Sequence, residues 1–456
     1  HGSLSTPEKP VSINWSAVRD ETATILQGMI RFDTTNPPGD ETPCLAYVAE
    51  VLWRDGIEST LLESKPMRGN LVARLKGNGS KPPFMMMGHV DVVPVERAKW
   101  TQDPFGGDIV DGFLYGRGAL DMKNIDAIQL MVILLLRREG VPLARDIVFM
   151  LNADEEEGGR WGAKWMQEEH ADLIGAAAGV TELGGNAFEF AGKKFFMVQT
   201  GEKAGAGFIL RARGTPGHAS QPHDDNAVLK LARALIKLGS VERPIHASPT
   251  MRQYVETIAR AAGPDGELWY GLLDDATFVE TLHALPIHAS LKKMLHSQFH
   301  NSMAPTVLNA GTKINVIPSV AECTIDCRAV PGQTHEQIER EVRAVIGDEL
   351  EIEFRRDIIS EGVEQVSVTE SELWRLVEKH MQAHVPNAVM LATLSTWATD
   401  ARFQVKLGTQ MLGIAPALSP ISEYDRIHGH DERIALSDIE FGTRVLYDVV
   451  KEYCGA

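Results

Sequence analysis

The sequence predicts an α/β protein: a mixed, mostly parallel sheet covered by helices, with a smaller α+β domain inserted into it. Three observations predict this. Short, wholly apolar runs, Pro83 to Gly88 (PFMMMG) and Ile147 to Leu151 (IVFML), read as strands buried on both faces. Between them, Ile125 to Glu139 is apolar on nearly every face and reads as a buried helix. The middle of the chain differs: Ala206 to Ala212 and Lys313 to Cys327 look like half-exposed strands, with helical patterns such as Asn226 to Leu238 between them.

The remaining elements follow in order. Ala176 to Val180 is a further buried strand, Thr409 to Ile414 another, and Ala435 to Tyr453 a closing helix. Gly214-Thr-Pro-Gly217 and Pro331-Gly332 punctuate the two ends of the middle part. The expected division is therefore a domain built from 1–203 and 332–456, with 204–331 inserted. At 456 residues and 44% hydrophobic content, the chain is long enough for more than one core. No internal repeat is visible.

Charge narrows the partners. With 45 Lys and Arg against 62 Asp and Glu, the net charge is −17, which argues against nucleic acid and an anionic membrane surface. The apolar run Leu130 to Leu136 is far short of the ~20 residues of a membrane span. The four cysteines form no CxxC pair. Cys323 and Cys327 lie in one expected strand, roughly 13 Å apart, too far for a bond. The opening His1-Gly2-Ser3 reads as a tag remnant, so a leader lost with it would leave the compartment, cytoplasmic or exported, open.

In open α/β sheets, ligands sit beyond the carboxyl ends of the strands. Three expected strands end there in metal-binding side chains: His89-Val90-Asp91, Asn152-Ala153-Asp154-Glu155-Glu156-Glu157-Gly158-Gly159 and Thr181-Glu182-Leu183-Gly184-Gly185. In an extended chain His89 and Asp91 face the same way, so Asp91 can orient the imidazole for a metal. Taken alone, H-x-D is more often a surface pair. Asp121, in Gly116-Arg-Gly-Ala-Leu-Asp121-Met-Lys, is either a helix N-cap or a carboxylate with two oxygens to share between metals. Most acidic runs are plain solvated turns. This one follows a buried strand, and adjacent residues point apart, so one Glu can bind metal while its neighbour serves as general base. His380-Met-Gln-Ala-His384 has the spacing of a helical zinc motif but lacks its Glu. Ser220 lacks the G-x-S-x-G context of a nucleophile.

Taken together, H-x-D, G-R-G-x-x-D-M-K, D-E-E-x-G-G, E-x-G-G and a late His resemble the metallopeptidase family of aminoacylase, acetylornithine deacetylase, succinyl-diaminopimelate desuccinylase, glutamate carboxypeptidase and carboxypeptidase S. Further matches are Gly214-Thr-Pro-Gly-His218-Ala-Ser220, Lys313-Ile-Asn315-Val-Ile-Pro318, Asp326-Cys-Arg328-Ala-Val-Pro-Gly332, Thr399-Asp400-Ala-Arg402 and His428-Gly-His-Asp-Glu432. The resemblance runs over essentially the whole chain. It implies a zinc-peptidase-like catalytic domain with an inserted lid, and two Zn²⁺ per chain. His89 and Glu182 would hold one ion, Glu156 and His428 the other, with Asp121 bridging. Glu155 would be the general base and Asp91 the orienter of His89. His218 and Asn315 would polarise the scissile carbonyl or hold substrate, and Arg328 would grip its carboxylate. The N and O donors suit Zn²⁺ and allow Co²⁺ or Mn²⁺. Relatives often show D-E-G-G where this chain has T-E-L-G-G, and His430 is an extra histidine taken as a bystander.

The expected substrate is a small molecule, an N-acyl amino acid or short peptide with a free carboxylate; a dipeptidase or carboxypeptidase is the alternative. The long interval from His218 to Asn315, with an extra helical segment around 245–303, resembles the branch of carboxypeptidase S and the secreted N-acyl amino acid hydrolases. The resemblance also implies a homodimer through the lid, with that segment as a competitor for the same surface. A non-catalytic metal- or peptide-binding protein is a second class of reading, disfavoured by the presence of Glu155. A dinuclear phosphoesterase is a third, disfavoured by Arg328.

Overall fold

A computed structural model describes residues 12–456; the His1-Gly2-Ser3 start lies outside the described residues. The chain forms two compact units. The first takes in the chain to Glu157 with Pro416–Ser419 and Arg426–Ala456; the second is Gly158–Ala415 with Pro420–Asp425. The α/β class and the mixed sheet are as the sequence predicts.

In the first unit the strand order is Ser59–Lys65, Arg68–Leu75, Ile147–Asn152, Phe84–His89. The last two are parallel and buried at every position, as continuous apolar runs require. Their register sets His89 opposite Asn152, so both chains leave the sheet at the same edge. The helix Lys123–Arg138 is buried from Lys123 to Leu136 and packs on Phe84–His89, Trp15–Ile30 and Leu436–Cys454. Its approach explains Gly88: a Cβ there would collide with the Asp126 carboxylate and the Met122 side chain.

The second unit contains two main groups of strands. In one, Ala178–Thr181 runs parallel to Gln410–Gly413, and Lys193–Glu202 pairs in parallel with Ala388–Ser395. In the other, the order is Ser302–Ala310, Val320–Ala329, Ala204–Arg213, Glu351–Ser360. This antiparallel sheet buries alternate residues, among them Cys323 and Cys327, against the helices Ala227–Ser240 and His335–Ile346. All four cysteines are buried and unbridged. The expected strand Lys313 to Cys327 is broken: Val316–Ile317 pairs with Gly217–His218, and Val320–Ala329 starts afresh after Pro318.

The extra segment forms the helices Pro249–Ala262, Phe278–Ala284 and Ala289–Phe299. Its apolar side, with Tyr254, Trp269, Phe278 and Phe299, shares one core with Phe195, Met197, Leu391 and Leu394. It therefore covers the Lys193–Glu202 and Ala388–Ser395 strands. The edge strand Ser302–Ala310 stays exposed from Ala304 onward. No described helix is long and apolar enough to cross a membrane.

Candidate metal centre

The first unit brings His89, Asp91, Asp121, Glu155, Glu156 and His428 together. His89 ends its strand buried, and its Nδ1 donates to the Asp91 carbonyl at 3.0 Å, with the Asp91 carboxylate at 3.3 Å. A carbonyl only accepts, so the proton sits on Nδ1 and the Nε2 lone pair points away. That lone pair faces Asp121 Oδ1 at 3.3 Å and Glu155 Oε2 at 3.5 Å.

Asp91 is wholly buried and does more than face a histidine. Its Oδ1 accepts the Glu155 amide at 3.0 Å; its Oδ2 accepts the Glu156 amide at 3.1 Å and Asn36 Nδ2 at 2.9 Å. Burial alone would raise its carboxyl, but the His89 contact, Asn36 and the amide of Glu156 hold it below the ordinary carboxylate range. The acidic run is thus no solvated turn. Asp154 is buried with φ of 69°, gripped by Arg68 at 2.7 Å and by Asn36 at 3.1 Å. Arg68 in turn pairs with the fully buried Glu41, whose Oε1 accepts the Asp154 amide.

Asp121 is not a helix cap: the N-cap position is Met122, with no side-chain cap. Its loop is held by Glu432, whose Oε1 accepts the amides of Gly118, Leu120 and Asp121 at 2.8–3.2 Å, while Oε2 takes Arg117 at 2.8 Å. His428, in the left-handed region at φ 61°, places Nε2 3.0 Å from Asp121 Oδ2 and 3.3 Å from Glu156.

This donor set fits divalent cations. Asp121, Glu156 and His428 each offer a ligand atom within 4.8 Å of the others, and so do His89, Glu155 and Glu156. Asp121 Oδ1 is buried and accepts no hydrogen bond among the described residues. Burial and the charge of Asp121 push Glu156 up to about 7, while contacts with Asp121 and Glu156 push His428 up to about 10. Without a cation, the protein must hold protons where the carboxylates crowd.

The other candidates lie in the second unit. Glu182 is buried just past the strand Ala178–Thr181. His218 pairs across to Val316, the Ala219 amide donates to the Asn315 carbonyl at 3.1 Å, and Ser220 Oγ sits 2.8 Å from His218 Nδ1, so His218 and Asn315 are neighbours. Arg328 is half-exposed and already paired with Asp326 at 2.8 and 3.2 Å. His430 is exposed, 3.9 Å from Glu96. Sequence reasoning gave no role to Asn36, Glu41, Arg68, Arg117 or Glu432; of these, Arg117 and Glu432 stood inside quoted motifs.

Comparison with known proteins agrees with this chemistry. The profile of Peptidase family M20/M25/M40 matches residues 85–452. A probable carboxypeptidase S-like protein 2 of Dictyostelium discoideum is 30% identical over 392 residues, 84% of this chain and 74% of that protein. The N-fatty-acyl-amino acid synthase/hydrolase PM20D1 of Bos taurus is 26% identical over 446 residues, 93% of this chain and 86% of its own. The crystal structure of an M20 family metallo-carboxypeptidase from Sulfolobus solfataricus shares the fold, with a TM-score of 0.69 at 17% identity over 95% of this chain and 99% of that one.

Proposed function

The chain belongs to peptidase family M20/M25/M40 and is a metal-dependent hydrolase; on that premise we propose that it is a dinuclear amidohydrolase of N-acyl amino acids. The observation that carries the reading is the Asp91 carboxylate. It fixes the amides of Glu155 and Glu156 and faces His89, so one buried group sets a ligand, a second ligand and the base. A protein that only stored metal would have no use for Glu155 held beside that centre.

His89, Asp121, Glu156 and His428 would hold the ions, joined on the family resemblance by Glu182. Zn²⁺ suits the mixed N and O donors, with Co²⁺ or Mn²⁺ as substitutes. Bound ions supply Lewis acidity, which acidifies water and polarises a carbonyl. Glu155 takes the proton of the attacking water as its oxygen adds to the amide carbon. It then passes that proton to the nitrogen, so the C–N bond breaks to a carboxylic acid and a free amino acid. His218 and Asn315 are assigned to the scissile carbonyl, and Arg328 to the substrate's free carboxylate, in exchange for Asp326.

The acyl substrate class follows the name of the Bos taurus relative; the Dictyostelium name favours a C-terminal peptide bond instead. We assign residues 1–203 and 332–456 to catalysis and 204–331 to a lid. The strand Glu351–Ser360, which lies beyond 331, also pairs with the lid strand Ala204–Arg213. The exposed edge strand Ser302–Ala310, with Val307 and Leu308 outward, supports a homodimer through the lid.

The test is hydrolysis of a panel of N-acyl amino acids, dipeptides and a nitrophenyl phosphate by wild type, Glu155→Gln and chelator-treated enzyme. Glu155→Gln is expected to lose about 10²–10⁴-fold in kcat with its metal retained. Full activity in that variant removes the base; phosphate turnover without amide turnover removes the amidohydrolase reading.

A further inference from the structure

Away from that centre, the second unit gathers a different set of donors. Glu242 follows the helix Ala227–Ser240; His296 and His300 lie at the end of Ala289–Phe299 and just beyond it. One Glu242 oxygen is 2.8 Å from His296 Nε2 and 3.3 Å from His300 Nε2, and each residue has a ligand atom within 4.8 Å of the others. We propose that Glu242, His296 and His300 form an additional Zn²⁺ site that clips these two helix ends together.

The argument rests on His300. Its Nδ1 lies 2.7 Å from the His296 carbonyl, an acceptor only, so Nδ1 carries the proton and Nε2 a lone pair. His300 is 2% exposed, and Nε2 has no hydrogen-bond partner among the described residues, although it faces a carboxylate. Two acceptors face each other, a repulsive arrangement unless a cation lies between them. Protonating Nε2 would relieve it, but burial, the largest influence, disfavours a charged ring and, with the His296 and Arg243 charges, outweighs the His296 carbonyl and Glu242, which favour one. A metal ion relieves it without charging the imidazole.

The surroundings suit an ion. Phe278 sets its ring edge-on to both imidazoles, at 6.0 and 5.0 Å, giving the site an apolar floor. Arg243, the nearby cation, is drawn off by Glu341 at 3.5 Å and by the Leu238 carbonyl at 2.9 Å. His246 is likewise held by Glu341, at 2.8 Å. The two imidazoles stack at 4.3 Å and 13°, so they must splay for both lone pairs to meet one ion. His296, at the surface, is the ring with room to turn. Two nitrogens and one oxygen leave a fourth, solvent-facing position, a donor set typical of Zn²⁺.

The test is Zn²⁺ content per chain at fixed free Zn²⁺ for the purified enzyme, Glu242→Gln and His296→Gln. Both substitutions are at the surface, and circular dichroism checks their fold. Each variant is expected to hold one Zn²⁺ fewer than wild type, to keep its hydrolase rate, and to show a smaller rise in Tm on adding Zn²⁺ than wild type. His428→Ala, altered in the other centre, should still lose a further Zn²⁺ when Glu242→Gln is added. Equal Zn²⁺ content in wild type and both surface variants overturns the proposal.

Discussion

Replacing Asp91 by Asn removes one charge and one acceptor while keeping the shape. Each carboxylate oxygen meets two nitrogens: Oδ1 faces the Glu155 amide and His89 Nδ1, and Oδ2 faces the Glu156 amide and Asn36 Nδ2. Whichever oxygen becomes NH₂, it points donors at donors and releases one of the two Glu amides. Two charge-assisted bonds at about 1.5–3 kcal/mol each put the local loss at about 3–6 kcal/mol before relaxation. If about half reaches the transition state, kcat falls about 10–10²-fold, at 1.36 kcal/mol per decade. His89 suffers less, because its Nδ1 keeps the Asp91 backbone carbonyl at 3.0 Å, closer than the carboxylate. Metal affinity should therefore drop by no more than about tenfold, at the low end for residues that orient ligands. Steady-state kinetics with fully loaded enzyme and chelator competition separate the two effects. A variant with near-normal kcat, or one that loses metal but turns over normally once loaded, refutes the claim that Asp91 acts mainly through the glutamate turn.

Glu432→Gln should destabilise the fold by up to about 3–5 kcal/mol, since it leaves the buried Arg117 charge uncompensated; a denaturant midpoint unchanged from wild type contradicts this. Metal-stripped protein should lose stability as pH rises. Glu156, raised from 4.5 to about 7, and His428, raised from 6.5 to about 10, bind protons in the fold that the unfolded chain has released, so that stability is present at low pH and fades through those values. Melting curves from pH 5 to 9 should fall for stripped enzyme and stay flatter for loaded enzyme; parallel profiles would show that the crowding is not relieved by metal. Reloading at pH 7.5 should release about one proton per chain from His428, read as a buffer-dependent heat. Arg328→Met should raise KM for carboxylate substrates by roughly 10–150-fold, the value of a charged hydrogen bond, and leave amide-capped analogues unaffected. Equal effects on both substrate sets would assign Arg328 to its Asp326 pair alone.

What the sequence revealed and what it hid have different physical origins. His89 and the Glu155–Glu156 turn were legible because parallel strands announce themselves as apolar runs, and their shared register delivers both chain exits to one edge. The helix Lys123–Arg138 was legible for the same reason, being buried on all sides. The extra segment was visible as helices, but not its packing partner: the same apolar faces could have met the lid sheet or, as they do, the Lys193–Glu202 and Ala388–Ser395 strands. The break at Pro318 was hidden because alternation continues across it, although proline cannot donate to a ladder.

The support of the metal centre was the least legible part, and Glu432 shows why. Its carboxylate collects three amides from a loop more than 300 residues away in sequence, Gly118, Leu120 and Asp121. The motif His428-Gly-His-Asp-Glu432 contained this residue but gave it no role, since an acid beside Asp431 and Arg433 reads as one more surface charge. Asn36, Glu41 and Arg68 act likewise on Asp91 and Asp154. Ligands can be read from a chain because a metal demands particular side chains at strand ends. Their supports answer only to whichever backbone amide or carboxylate the fold brings near, so a motif can name the ligands while leaving open what holds them rigid. The Asp91→Asn variant tests that distinction, because Asp91 is the one orienting residue that the motif did name.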